Sequence, residues 1–408
     1  MKRLLLILPV AALLGACSDE IPTVSLGIDG DYYIYRMSKL SLRSELTGAE
    51  YRWTLHRGDG RDSVISSSRD CIFLTADEGV YDMSFDIIDQ STPYHHDFKI
   101  TVLHEEVEYS AYISKVYEYC PAPGQFINEM PLFEAGDSYA DMVRKCEESI
   151  GGLNDVMISL GGFGGYVIFG FDHTVVNRPG EYDFMIYGNA FYELTDISRR
   201  GGSCEPGIVS VSYDANCNGL PDDPWYELAG SEYYKPSTLK NLSITYRRPD
   251  PDRKPVADGT GFLCDLEYIP WSTSAGESGF MPKNTFHPQE YYPLWLDADE
   301  LTLTGTCLPR NAVDLSGTGR YYVLYSYEWG YVDNHPNEYQ DLNSFKIDWA
   351  VDADGNHVEL PGVDFIRVMT GINQYCGWLG ETSTELSKAR DLHIDITPYL
   401  PDDPFTNQ

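Results

Sequence analysis

Basic residues are scarce in this chain: 29 Lys and Arg stand against 63 Asp and Glu, a formal net charge of −34 over 408 residues. Such a surface repels phosphates and excludes nucleic acid as a partner. It suits an exported, soluble protein and draws in cations without naming one. Beyond the first 17 residues no run is long and apolar enough to read as a membrane-spanning helix. Catalytic signatures are missing too: the chain has no GxSxG elbow, no HExxH zinc motif and no Walker loop. With 63 acids available, paired carboxylates of the glycosidase kind carry no specificity as a signal. The expectation is a binding protein, not an enzyme, with no catalytic residue assigned.

What is present begins with an export signal. Met1-Lys-Arg followed by the apolar run to Leu14-Gly-Ala-Cys17 has a basic start and small residues before the break. Segment 1–17 is expected to act as a secretory signal peptide, cut so that Cys17 stays as the first residue of the mature protein. Leu14-Gly-Ala-Cys17 resembles a bacterial lipobox, which implies a lipidated Cys17 and membrane anchoring through its acyl chains. Eight further cysteines, an even number in an exported chain, leave both disulfides and buried thiols open. They lack the CxxC spacing of zinc and redox sites.

Aromatic residues make up 13% of the chain, led by 31 Tyr, and this composition favours strands. Residues 21–104 hold short alternating runs around Tyr32–Tyr35, Tyr51–Leu55, Cys71–Leu74, Tyr81–Ile87 and Phe98–Leu103. That spacing reads as a small Ig/PKD-like sandwich, with Trp53 as its core aromatic. His95-His96 are expected in a turn. Residues 105–408 read as a larger jelly-roll-like antiparallel β-sandwich with long loops and one short helix. Tyr139, Met142, Val143 and Cys146 fall on one helical stripe, Asp137 is the expected N-cap and Gly151-Gly152 the stop. The fold class is all-β. The glycines Gly161–Gly165 lack the spacing of a phosphate cradle and read as a bend.

Asp214-Ala-Asn-Cys-Asn-Gly-Leu-Pro-Asp-Asp223 places oxygen side chains at Asp214, Asn216, Asn218, Asp222 and Asp223 around Gly219. Hard cations take six to eight oxygen ligands, so these five residues are candidate ligands of a structural Ca2+. The match to an EF-hand stops halfway, because Trp225 stands where its closing Glu belongs. A metal-free Asx-rich turn is the other reading. Asp352-Ala-Asp-Gly-Asn356 lacks the trailing acid pair and reads as a plain hairpin turn.

Two loop regions concentrate flat rings and polar groups. One runs from Ile269 to Trp295 and includes Trp271, Tyr291, Tyr292 and Trp295. The other contributes Trp329, Tyr331, Asp333, Asn334 and His335, joined by Tyr375 and Trp378. Such groups suit a ligand with apolar faces and polar edges, a sugar or a corrinoid. Packing of these loops onto the sandwich is the plain alternative for any single ring.

Gly165-Tyr-Val-Ile-Phe-Gly-Phe-Asp172, Tyr187-Gly-Asn-Ala190, Glu205-Pro-Gly207, the Asp214–Glu227 loop, Trp329-Gly-Tyr-Val-Asp-Asn334 and Gly377-Trp-Leu-Gly-Glu381 together resemble a family of Bacteroidetes cell-surface lipoproteins with an N-terminal PKD-like domain. Within it the chain resembles the BtuH-type proteins of cobalamin uptake. The resemblance implies an outer-membrane, surface-exposed lipoprotein. It also implies cobalamin as a bound ligand, delivered to a TonB-dependent transporter. The alternative reading is a glycan-binding surface lipoprotein or a glycan-cleaving enzyme.

Overall fold

The computed structural model describes residues 25–58, 60, 62–88 and 93–395. The signal segment and Cys17 lie outside these residues. Among the described residues no helix is long and apolar enough to cross a membrane, which says nothing of a β-barrel. The chain is all-β apart from one α-helix and four short 3-10 turns among the described residues. Contacts divide the described residues into two compact units, one drawn from 25–33, 41–72 and 80–101 and the other from 34–40, 73–79 and 102–395.

The N-terminal module has a five-stranded sheet ordered Asp31–Tyr35, Tyr94–Leu103, Gly79–Ile88, Glu50–His56, Ser63–Ser66, and a two-stranded one of Leu40–Arg43 with Asp70–Phe73. Alternation drives it: Met83, Phe85 and Ile87 face inward from one strand, and Phe98, Ile100 and Val102 from its neighbour. Trp53 is fully buried, packs 4.1 Å from the Phe85 ring and donates its indole N–H to the Ser68 carbonyl at 2.9 Å. His95 and His96 sit inside the strand Tyr94–Leu103, not in a turn, and His95 pairs with Asp86 across the ladder at 2.7 Å.

The larger unit is built on two sheets. A six-stranded antiparallel sheet runs in the order Ala350–Val351, Trp225–Leu228, Gly207–Ser212, Phe365–Thr370, Tyr166–Gly170, Lys115–Cys120. A four-stranded sheet runs Ser278–Asn284, Leu263–Thr273, Leu239–Arg247, Glu300–Cys307. Side chains of both meet in one core: Ile208 and Met369 from the first, Leu242, Ile244, Tyr246, Ile269, Met281 and Leu303 from the second. Each fully buried aliphatic or aromatic side chain there contributes about 1.5–3 kcal/mol of transfer free energy. Tyr246 crosses the core to donate its hydroxyl to the Phe163 carbonyl at 2.9 Å, which leaves no unpaired polar tip.

Two local expectations shift. The helix spans Tyr139–Ile150, and its cap is Ser138, not Asp137. Ser138 Oγ accepts from Asp141 N–H while the Asp141 carboxylate accepts from Ser138 N–H, a reciprocal capping box. Asp137 is held elsewhere, by Lys145 at 2.7 Å. The buried stripe is Met142, Cys146, Ser149 and Ile150, with Tyr139 exposed. Secondly, the run Ile269–Trp295, expected to be loop, is largely a hairpin of Leu263–Thr273 with Ser278–Asn284. Further along, Ser344–Phe345 pairs as a short strand and Ile347–Trp349 turns as a 3-10 segment.

Gly161–Gly165 does bend the chain between strands. Gly161 takes φ +68°, and a Cβ on it would stand 2.1 Å from the Ala122 carbonyl oxygen, so only glycine fits. Asp352–Asn356 closes a tight turn through Gly355 N–H to the Asp352 carbonyl at 3.0 Å. All eight cysteines among the described residues are free thiols, and five of them are buried.

Candidate functional site

Three segments far apart in sequence run side by side at the edge of the larger core. Glu205 lies in the link between the strands Gly201–Ser203 and Gly207–Ser212, alongside Val332-Asp333. Gly207 N–H donates to the Val332 carbonyl at 2.9 Å and Glu205 N–H to that of Asp333 at 2.8 Å. The third segment, Glu381–Glu385, docks through Ser383 N–H to Glu205 Oε1 at 3.0 Å and Thr384 Oγ1 to the Glu205 carbonyl at 2.8 Å. Backbone pairing thus gathers carboxylates that no sequence spacing relates.

Asp333 has a left-handed φ of +55°, held by its own side chain. Oδ1 accepts from Asn189 N–H at 2.8 Å and Oδ2 from Glu385 N–H at 3.1 Å. A Cβ at Gly188 would stand 2.6 Å from Oδ1, so glycine is required for this approach. Glu385 Oε1 accepts from Ser159 Oγ at 3.1 Å, and Glu205 Oε2 from Ser203 Oγ at 3.4 Å. One oxygen each from Glu205, Asp333 and Glu385 lies within 4.8 Å of the other two. Asp333 and Glu385 are buried, and Glu205 is half-buried.

Glu205 and Glu385 line a cavity of about 170 Å3, together with Gln125, Phe126, Cys376 and Glu381. Burial, reinforced by the charge on Asp333, raises the Glu205 carboxyl far above its ordinary range. Glu385 is raised by burial and by Glu205 and Asp333, and Asp333 by burial against the pull of its backbone N–H donors. Burial pushes Glu381 up to about 7, with Gln125 N–H opposing it. None of these acids draws on a Lys, Arg or His among the described residues. Chemically, such an all-oxygen set can share protons or ligate a hard cation.

Rings gather beside the cavity. Trp378 stands on the turn Gly377–Leu379, whose Leu379 lines the cavity wall. Phe262, Phe286 and Trp378 form a group with centroids 6.1–6.5 Å apart, and Phe286 and Trp378 are 58% and 37% exposed. Asn284 ties this group to the wall: its Nδ2 donates to Gln125 Oε1 at 2.7 Å and to the Trp378 carbonyl at 3.3 Å.

The residues expected to bind ligand divide. Asp333 belongs to the carboxylate group and Trp378 to the exposed rings. Trp271, Tyr291, Tyr292 and Tyr331 are instead buried in the core between the sheets, where they pack the interior and present no surface. Tyr375 stacks on Trp271 at 6.4 Å, Trp295 on Tyr119 at 5.9 Å, and Trp329 packs against Trp349 at 4.6 Å. Asn334 and His335 are buried and brace loops, Asn334 on the Tyr327 backbone and His335 between Tyr192 and the Glu328 carbonyl. Phe262, Phe286, Glu205, Glu381 and Glu385 were not expected from the chain. Their one trace in sequence is that Glu205 and Glu381 sit in glycine-bearing motifs.

In the Asp214 loop the polar groups bind each other. Asp214 accepts from Asn218 and Gly219 N–H at 3.1 and 2.9 Å, and the amides of Asn216 and Asn218 donate to Asp222. Asp223 keeps one buried oxygen without a partner.

No protein-family model matches the chain, and no curated protein matches it. Among solved structures it is similar to SusE-like protein BT2857, with 8% identity, 88% of this chain and 95% of that one covered, and a TM-score of 0.27. It is also similar to a chain described under "Structural basis for the promiscuous specificity of the carbohydrate-binding modules from the beta-sandwich super family", with 9% identity, 89% and 94% covered, and a TM-score of 0.14. At these TM-scores neither likeness carries an argument about fold or site.

Proposed function

We propose that this chain is a non-catalytic binding lipoprotein of the cell surface, anchored through Cys17, that takes a glycan at the rim formed by Phe262, Phe286 and Trp378. The observation that carries this reading is the exposed three-ring group beside a polar-lined cavity. Flat rings suit the apolar faces of sugars, while the amides and carboxylates behind them suit hydroxyl edges. Size argues for a glycan over cobalamin. A cavity of about 170 Å3 falls below the roughly 300–1,000 Å3 that drug-sized ligands occupy, and a corrinoid is larger still. Delivery to an outer-membrane TonB-dependent transporter remains part of the proposal, supported by the export signal and by the family resemblance of the sequence.

Calorimetric titration of the mature chain with a glycan panel tests this, with cyanocobalamin as a second arm and product analysis as a third. Binding of a glycan without turnover, weakened roughly 10-fold in Trp378→Ala, is the expected result. Cyanocobalamin binding at micromolar concentration with no glycan bound would restore the corrinoid reading. Glycan turnover would make the chain an enzyme.

A further inference from the structure

Several other buried carboxylates in this fold keep a basic side chain beside them. Asp391 meets His173 at 2.7 Å, Asp183 meets His393 at 2.9 Å, and Asp265 meets Arg253. Glu205, Asp333 and Glu385 depart from that habit. They bring three carboxylates together, and no salt bridge from a Lys, Arg or His among the described residues reaches any of them. Isolated buried charge is costly unless something compensates it.

A second observation points the same way. Glu381 is 4% exposed and lines the same cavity. Its Oε1 accepts from Gln125 N–H at 2.7 Å, yet its Oε2 is buried with no hydrogen-bond partner at all. An orphaned carboxylate oxygen is among the costliest groups to leave unsatisfied. Three acids, Glu205, Glu381 and Glu385, line one small cavity, Asp333 stands beside two of them, and one carboxylate oxygen is unused, which describes a pocket shaped for positive charge.

We propose that Glu205, Asp333 and Glu385 bind a hard divalent cation, calcium foremost, with Glu381 supplying further negative charge from the cavity wall. All the donors are oxygens, which suits calcium or magnesium and not the softer metals that seek Cys or His. Calcium holds oxygens at about 2.3–2.6 Å, so ligands on opposite sides of one ion stand about 5 Å apart. The 4.8 Å limit on the three oxygens fits that span. The ion would tie the Glu205 link, the Val332-Asp333 segment and the Glu381–Glu385 segment together. This site differs from the Asp214 loop and does not depend on what the ring group binds.

The test uses the full chain freed of metal by chelation, with calcium alone as the probe. Calorimetry should show one calcium equivalent taken up and a raised melting temperature. In Glu205→Gln/Glu385→Gln that equivalent should vanish, while Asp214→Asn/Asp222→Asn should retain it. Glu381→Gln, a milder change, should weaken calcium roughly 10–100-fold, the loss typical of groups supporting a metal site. The double Gln variant removes two buried charges, so its metal-free melting temperature should match or exceed the parent's. A lost equivalent is then not a folding defect. Should the double variant fail to fold, the Glu381→Gln affinity decides. Absence of uptake of calcium, magnesium or manganese at millimolar concentration overturns the proposal. So does uptake that survives in the Glu205/Glu385 variant or is unchanged in Glu381→Gln.

Discussion

Two acid-rich regions of this protein look alike by composition and differ in physics. The Asp214–Asp223 loop draws its groups from consecutive residues, is largely exposed, and spends Asp214, Asn216, Asn218 and Asp222 on its own turn, with one oxygen of Asp223 left over. The Glu205–Asp333–Glu385 group draws on three distant segments, is largely buried, and makes no salt bridge with a Lys, Arg or His among the described residues. A local run of acids and amides can satisfy itself through Asx turns. A buried assembly of acids has no such outlet and needs protons or an ion. Density of acids in the sequence is therefore a poorer guide to a charged site than the absence of compensation in the fold.

Substitutions can break or sharpen this contrast. The largest effect is expected where a buried acid does have its cation. His173→Leu strips Asp391 of its imidazole and should cost about 3–5 kcal/mol in denaturant unfolding, the range for breaking a buried pair. Burial disfavours the charged ring, but Asp391 and Asp172 outweigh it and raise the His173 pKa. Its stabilisation is therefore complete below the unfolded value of roughly 6.5 and lost as pH rises through the higher folded value. Stability measured across that window should fall with pH in the parent and flatten in the variant. If it does not, the habit of pairing buried acids with cations is not what holds Asp391.

Asp214→Ala should cost less, about 1–3 kcal/mol, because two backbone N–H groups lose their acceptor. If calcium sits in this loop the cost should grow in calcium and shrink in chelator. An equal cost under both conditions keeps the loop a self-satisfied turn. The smallest effect on stability belongs to Trp378→Ala, within about 0.5 kcal/mol, since the ring is partly exposed at the rim. A larger loss in thermal unfolding would show that the ring holds its turn in place.

Much of the fold was legible in the sequence. Alternation located the strands Asp31–Tyr35, Glu50–His56 and Asp70–Phe73 to within a residue or two, since one buried face imposes period two. The Leu263–Asn284 hairpin was missed because Pro270 and Pro282 interrupt the pattern that marks a strand. Trp271, Tyr291 and Tyr292 read as surface aromatics for the same reason: once the hairpin is taken as loop, its inward rings seem free. Of the candidate site, Asp333 and Trp378 could be named beforehand. Glu205, Glu381 and Glu385 could not, because contacts among distant segments leave no period and no spacing behind.

The most direct test of the contrast is a structure of the calcium-soaked protein with the anomalous signal of the ion measured. A peak among Glu205, Asp333 and Glu385, with the Asp214 loop bare, is the result predicted here. A peak in the Asp214 loop with none in the carboxylate cavity would contradict it.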